Sequence, residues 1–184
     1  MKKISKPFKK CTPQSLTQGF SESHRANDFG GKYGEFLVAV CNSIVVGITT
    51  ANNIETSGEE LRRGFGIRLQ SIEDPTLSYT YWHCQPFFPL NIGDIVLQGQ
   101  PVAMMGNSGF VLSNGNPVEI SIRTIPPYPG THVHWSMGQQ IGQDYIPLDP
   151  LSLIDWDIPI NSDVITTVKI ILIKILSFIK FKSN

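Results

Sequence analysis

Cysteine is scarce in this 184-residue chain: Cys11, Cys41 and Cys84 are the only three, with no Cys-x-x-Cys pair. An odd count without paired spacing excludes a disulfide framework and a thiolate metal site. Buried, idle thiols are expected instead. No lysine lies between Lys32 and Lys169. Acids are missing from both ends, since all 15 lie between Glu22 and Asp163. The first ten residues carry five lysines and the last 21 carry four. The formal net charge of zero therefore divides into an acidic body, six cations against 15 acids, and two basic tails. An acidic body argues against a nucleic-acid-binding domain, which needs clustered cations on its folded surface. The basic start is followed by no apolar stretch, so residues 1–18 do not read as a secretory signal. Action outside a cell would then require release by lysis or carriage on a particle.

What is present is a chain of turns and short apolar runs. Sixteen glycines and 13 prolines punctuate it, and at 41% hydrophobic and 16% charged it can bury a core. Glu35 to Ile48 is rich in β-branched residues and reads as a strand. Gly64 to Ile72 alternates, with Ile67, Leu69 and Ser71 on one face. Leu77 to His83 is a further strand, placing Tyr79, Tyr81 and His83 on one face. Asp94 to Gly106 reads as two short strands about the turn at Gln98-Gly99. Asn114-Gly115 is a hairpin signal, and Val118 to Arg123 alternates after it. His132 to Met137 is the last clear strand. Short strands at regular spacing predict an all-β fold, an antiparallel sheet or sandwich. Residues 51–63 and 107–131 read as excursions from it.

Residues 164–181 differ from the body. On a helical wheel Val164, Val168, Ile171, Leu172, Ile175, Leu176, Phe178 and Ile179 share one arc. Thr166, Lys169, Lys174, Ser177 and Lys180 fall opposite, with Ile170, Ile173 and Phe181 intruding. This predicts a cationic amphipathic helix suited to an anionic membrane surface, with lysines that make spanning costly. A helix packed on a partner chain and a β-branched strand are the competing readings.

The chain has four histidines: His24, His83, His132 and His134. His24 precedes Asp28 by four residues. His132-x-His134 on a strand points both rings to one face. Two imidazoles and one carboxylate form a common three-ligand set for a catalytic zinc, with a position left for water. Each element alone is weak, and four unrelated histidines is the competing reading.

The order of these elements resembles the M23 (lysostaphin/LytM-type) zinc metallopeptidases. His24-x3-Asp28-Phe29, Gly64-Phe-Gly66 and Tyr81-Trp-His83 are followed by Gly93-Asp-Ile-Val-Leu-Gln-Gly-Gln100 and Gly106-Asn-Ser-Gly109. His132-Val-His134-Trp135 and Asp149-Pro150 complete the series. The resemblance spans roughly 18–154. It implies an antiparallel sheet of the duplicated hybrid motif type forming a groove over one Zn2+. It also implies His24, Asp28 and His134 as metal ligands, His83 and His132 as non-ligand catalytic residues, and bacterial peptidoglycan peptides as substrate. The body would be residues 18–158, between a basic N-terminal arm (1–17) and the basic amphipathic tail (159–184). Trp82, Trp135 and Tyr81 flank the histidines and are expected to bind substrate, with core packing as the competing reading.

Two departures stand out. Members of the family usually pass from Gly-x-x-Gly to His-x-His in a few residues, whereas here 110–131 intervenes, an insertion that must emerge beside the metal. The Arg-Ala-Asn between His24 and Asp28 also differs from the family's preference, with both ligands kept. The expected function is a zinc-dependent endopeptidase of the cell wall, phage-derived or virion-associated, whose tail meets a membrane or particle. The alternative is a non-catalytic adaptor with its groove covered by 110–131. A biotinyl or lipoyl carrier, which shares the Gly-Asp-x-Val pattern, is disfavoured because no lysine lies on that hairpin.

Overall fold

A computed structural model describes residues 3–50, 63–86 and 88–160. Twelve strands are found among them: β1 (Leu16–Gln18), β2 (Asn27–Gly30), β3 (Phe36–Val38), β4 (Ser43–Thr49), β5 (Phe65–Ser71), β6 (Leu77–Cys84), β7 (Ile95–Val96), β8 (Pro101–Met104), β9 (Leu112–Ser113), β10 (Asn116–Pro117), β11 (His132–Ile141) and β12 (Asp144–Leu148). All named pairings are antiparallel. The large sheet runs β1-β2-β11-β6-β5-β4-β7, with β12 also on β11, and β3-β8 and β9-β10 form separate ribbons. The expected all-β class and antiparallel architecture are borne out. The C-terminal helix expected over 164–181 lies outside the described residues.

Alternation decides which face of the large sheet is wet. Val133, Trp135 and Met137 of β11 are buried, while His132, His134 and Ser136 between them stay partly open. Ile67, Leu69 and Ser71 of β5 all turn inward, as their spacing predicts. The inner face joins Leu37, Ala39 and Val40 and Val102 and Ala103 from around the β3-β8 ribbon in one core. Tyr79 and Tyr81 reach across it. Tyr81 Oη donates to the Val38 carbonyl at 2.7 Å, and Tyr79 Oη accepts from Val40 N at 3.2 Å. Their polar tips are thus satisfied inside an apolar layer.

Three sequence expectations change. The run from Glu35 to Ile48 is two strands, because the chain leaves the ribbon at Ala39 and enters the large sheet at Ser43. Gln98 fastens that corner, its Nε2 donating to the Val40 carbonyl at 2.8 Å and its backbone N–H to Asn42 Oδ1 at 3.0 Å. Val118 to Arg123 is no strand: Ile120–Ile122 is a 3-10 turn that wraps Arg123 inward. The Asn114-Gly115 signal is correct, since both residues have positive φ (51° and 79°) and close the β9-β10 hairpin. The N-terminal arm is not separate from the body. Ile4, Phe8 and Cys11 are buried in the main core, and Ile4 bridges Ile154. All three cysteines are free and buried, as expected.

Candidate metal centre and groove

β11 places the site because it pairs on both sides. His134 stands opposite Asp28 on β2 and opposite Trp82 on β6, so all three side chains share the open face. His24 comes from the turn before β2. Its backbone N–H donates to Ser21 Oγ at 3.1 Å, and its carbonyl accepts from Ser21 N at 2.9 Å and Ala26 N at 2.8 Å. Buried Asn27 supports the same loop. Its Oδ1 accepts from Phe20 N at 2.9 Å and its Nδ2 donates to Asp149 Oδ1 at 2.7 Å. Asp149 also caps the turn at Pro150–Ser152. The Asp-Pro motif therefore acts through Asn27 on the loop that carries His24, a role that spacing alone does not show.

Three donor atoms converge. His24 Nε2 lies 3.3 Å from His134 Nδ1 and 3.3 Å from Asp28 Oδ1, and His134 Nδ1 lies 2.9 Å from Asp28 Oδ1. Asp28 Oδ1 is buried, yet neither nitrogen gives it a hydrogen bond of proper direction. His24 Nδ1 faces the Gly19 carbonyl at 3.1 Å. A carbonyl only accepts, so that nitrogen carries the proton and Nε2 presents a lone pair. A lone pair on His24 Nε2 and a carboxylate oxygen of Asp28 facing each other at 3.3 Å are unfavourable without a cation between them. Tetrahedral zinc with ligands at about 2.0–2.2 Å would set them about 3.3–3.6 Å apart. The observed 2.9–3.3 Å is close to that, so the residues fit the ion.

Electrostatics agree with the donor set. Burial by itself raises the Asp28 carboxyl, but the close approach of His134 and the fields of His134, His132 and His24 outweigh it and hold the group below its ordinary value. Burial lowers His134, against the pull of Asp28, with His24 and Arg63 adding to the depression. Burial, then His132 and His134, push His83 well below the usual imidazole range. The depressed rings favour the neutral form, the form in which imidazole binds metals or accepts protons.

His83 reaches the site by breaking the pattern of its own strand. In a regular strand it would share the core face with Tyr81. Instead it has φ 60°, in the left-handed region, and the β5-β6 register shifts between Phe65 and Ile67. Its ring turns to the open face, with centroids 4.6 Å from His132 and 5.9 Å from His134. The single face drawn for Tyr79, Tyr81 and His83 is therefore wrong at His83. Nδ1 of His83 meets the Ser108 carbonyl at 2.7 Å, and Nδ1 of His132 meets the Gly130 carbonyl at 2.8 Å. By the same argument both Nε2 atoms are unprotonated in the neutral rings.

The expected substrate residues separate. Trp135 and Tyr81 have 0% exposure and pack in the core, so neither lines the groove and the substrate reading is withdrawn for both. They sit opposite each other on the inner face of β11 and β6. Trp82 is on the outer face but nearly covered. Arg63 lies over its ring at 5.6 Å, and Gly66 beneath has no room for a Cβ, which would stand 2.4 Å from the ring. The groove, about 1010 Å³, is lined instead by His24, Asp28, Arg63, His83, His132 and His134, with Phe110 to Gly115 and Gly130-Thr131 along one side. The 110–131 insertion is thus a wall of the groove, and His24, His132 and His134 remain partly exposed.

No family model matches the sequence, and no curated protein does. Solved structures match its fold. A zinc-containing peptidase from Vibrio cholerae superposes with TM-score 0.58 at 16% identity, over 86% of this chain and 41% of that one. LytU matches with TM-score 0.51 at 21% identity, over 82% of each chain. The catalytic domain of the antimicrobial peptidase lysostaphin from Staphylococcus simulans gives 0.50 at 18% identity, over 82% of this chain and 86% of that one. The chain spans 41% of the Vibrio protein and 33% of Csd3 from Helicobacter pylori. The fold is that of the M23 peptidases, as the motif order led one to expect.

Proposed function

We propose that the protein is a zinc-dependent endopeptidase that hydrolyses peptide bonds of bacterial peptidoglycan, in the cross-bridge or stem peptide. The observation that carries the reading is the convergence of His24 Nε2, Asp28 Oδ1 and His134 Nδ1 on the groove floor, beside two histidines that are not needed as ligands. His24, Asp28 and His134 would hold the ion, which when bound supplies Lewis-acid polarisation of a carbonyl and a more acidic water. His83 and His132 line the groove, each with Nδ1–H on a backbone carbonyl, which leaves Nε2 of the neutral ring as the proton acceptor; that of His132 lies 3.8 Å from Asp28 Oδ2. One ring can accept a proton from the attacking water and deliver it to the leaving amine, and the protonated or donor form of the other can stabilise an oxyanion. The adaptor reading requires a covered groove, and the insertion's position along one wall does not favour it. Delivery to the wall by lysis or on a particle, with 164–181 as a membrane or particle contact, is part of the same proposal.

The test is to measure zinc stoichiometry and to identify by mass spectrometry the fragments released from several peptidoglycan types. One zinc per chain with new amino termini in the released peptides is the expected result. Stoichiometric zinc without turnover on any wall type would favour the adaptor, and absence of zinc binding would end the metal assignment.

A further inference from the structure

The insertion begins and ends at the two non-ligand histidines. Ser108, just before it, supplies the carbonyl for His83, and Gly130, near its end, supplies the carbonyl for His132. Asn107 joins those two ends, its Nδ2 donating to the carbonyls of Arg123 at 3.0 Å and Pro129 at 2.9 Å. Arg123 answers from inside the insertion with 5% exposure. Its Nε and Nη2 donate to the Val118 carbonyl at 3.2 and 2.8 Å, and its Nη1 to the Asn107 carbonyl at 3.2 Å and also to that of Gly109. Ser108 lies between the last two and is fastened again by its own hydroxyl, which donates to the Cys84 carbonyl at 2.7 Å and accepts from Phe65 N at 2.9 Å. A buried guanidinium is a costly way to hold a loop, since apolar packing would hold it as well. What its planar fork adds is direction, fixing the carbonyls on both sides of Ser108.

We propose that Asn107 and Arg123 are positioning residues for His83 and His132. Their clamp sets the Ser108 and Gly130 carbonyls, and through them the tautomer and ring direction of both histidines. This makes the insertion part of the proton-transfer apparatus as well as a groove wall. The inference rests on the proposed role of the two histidines, and its first readout does not require turnover.

The experiment compares the zinc-loaded full chain with Arg123→Met, using long-range 1H–15N spectra of the imidazoles, zinc content and steady-state kinetics on soluble wall fragments. Four histidines keep the spectrum assignable. In the parent protein His83 and His132 show the Nδ1–H form. In Arg123→Met both move to mixed tautomers, kcat falls about 10–100-fold, and zinc content and KM stay close to the parent's. Unchanged tautomers, or zinc lost in step with activity, would overturn the proposal. If Arg123→Met does not fold, Asn107→Ala cuts the tie to Pro129 while keeping the guanidinium, and His132 must then lose its single tautomer for the proposal to stand. If the parent has no turnover, the enzyme reading fails while the tautomer comparison still decides the clamp.

Discussion

His83 carries the largest local departure in the site: a β-strand residue held at φ 60°, next to Cys84 in the core and facing two imidazoles. A side chain in that backbone region costs about 1–2 kcal/mol relative to glycine. His83→Gly should therefore be more stable than His83→Ala by about 1 kcal/mol in thermal or denaturant unfolding, although both lack the ring. Equal stabilities would mean that the turn carries no strain. The same position separates catalysis from metal binding. His134→Ala removes one of three convergent donors and is expected to abolish stoichiometric zinc, measured by metal analysis after dialysis. His83→Ala should keep the zinc and lose about 10²–10⁴-fold in turnover. Full activity in His83→Ala would remove that residue from the mechanism.

At the scale of elements, the site is a matter of which strands touch. β11 has β2 on one side and β6 on the other, and that register brings Asp28, His134 and Trp82 into one row. Close approaches hold the row in place. A Cβ at Gly66 would lie 2.4 Å from the Trp82 ring, and one at Gly106 would lie 2.9 Å from backbone atoms of His83, Cys84 and Gln85. Gly66→Ala should destabilise the protein by about 1–3 kcal/mol, read as a lower melting temperature, because a ring wedged against Arg63 has little room to move. Unchanged melting would show that the ring can shift. The Gly-x-Gly and Gly-x-x-Gly patterns were legible as motifs. Their reason, backbone passing under a tryptophan ring and beside the β6 bulge, depends on partners far away in sequence.

The whole molecule puts the basic start to structural use. Ile4 and Phe8 are buried in the main core between lysines of that segment, so the arm is pinned by apolar anchors while Lys3, Lys9 and Lys10 are exposed and Lys6 is half-buried. Removing residues 1–11 forfeits about 1.5–3 kcal/mol for each of these two side chains, and the melting temperature should fall accordingly. A truncated chain that melts like the parent would show that the arm is dispensable. The C-terminal segment makes a different prediction. Deleting 164–184 should spare hydrolysis of soluble wall fragments and weaken binding to anionic vesicles in a salt-dependent way. Unchanged vesicle binding would count against a membrane role for that segment.

By itself the sequence determined the class of fold and singled out the residues to which chemistry is assigned in the proposal. Alternation, β-branched runs and Asn-Gly or Gln-Gly turns are local signals, and they marked most of the large sheet and the hairpins. The ordered His, Asp and Gly motifs named the four histidines and Asp28, which the structure gathers in the groove. Only the tertiary structure decided which of the neighbouring residues take part. Trp135 adjoins His134 in sequence but faces the core, because strand neighbours point to opposite sides and the inner side is the one the β3-β8 ribbon covers; Tyr81 lies on that side too, and alternation alone would place His83, two residues on, beside it. His83 escapes that rule through its positive φ, and no pattern of residue types announces a bulge at a histidine. Arg123 read as a residue of an alternating strand and proved to be a buried clamp. Its role depends on carbonyls from three other parts of the loop, and those positions exist only once the chain has closed around it.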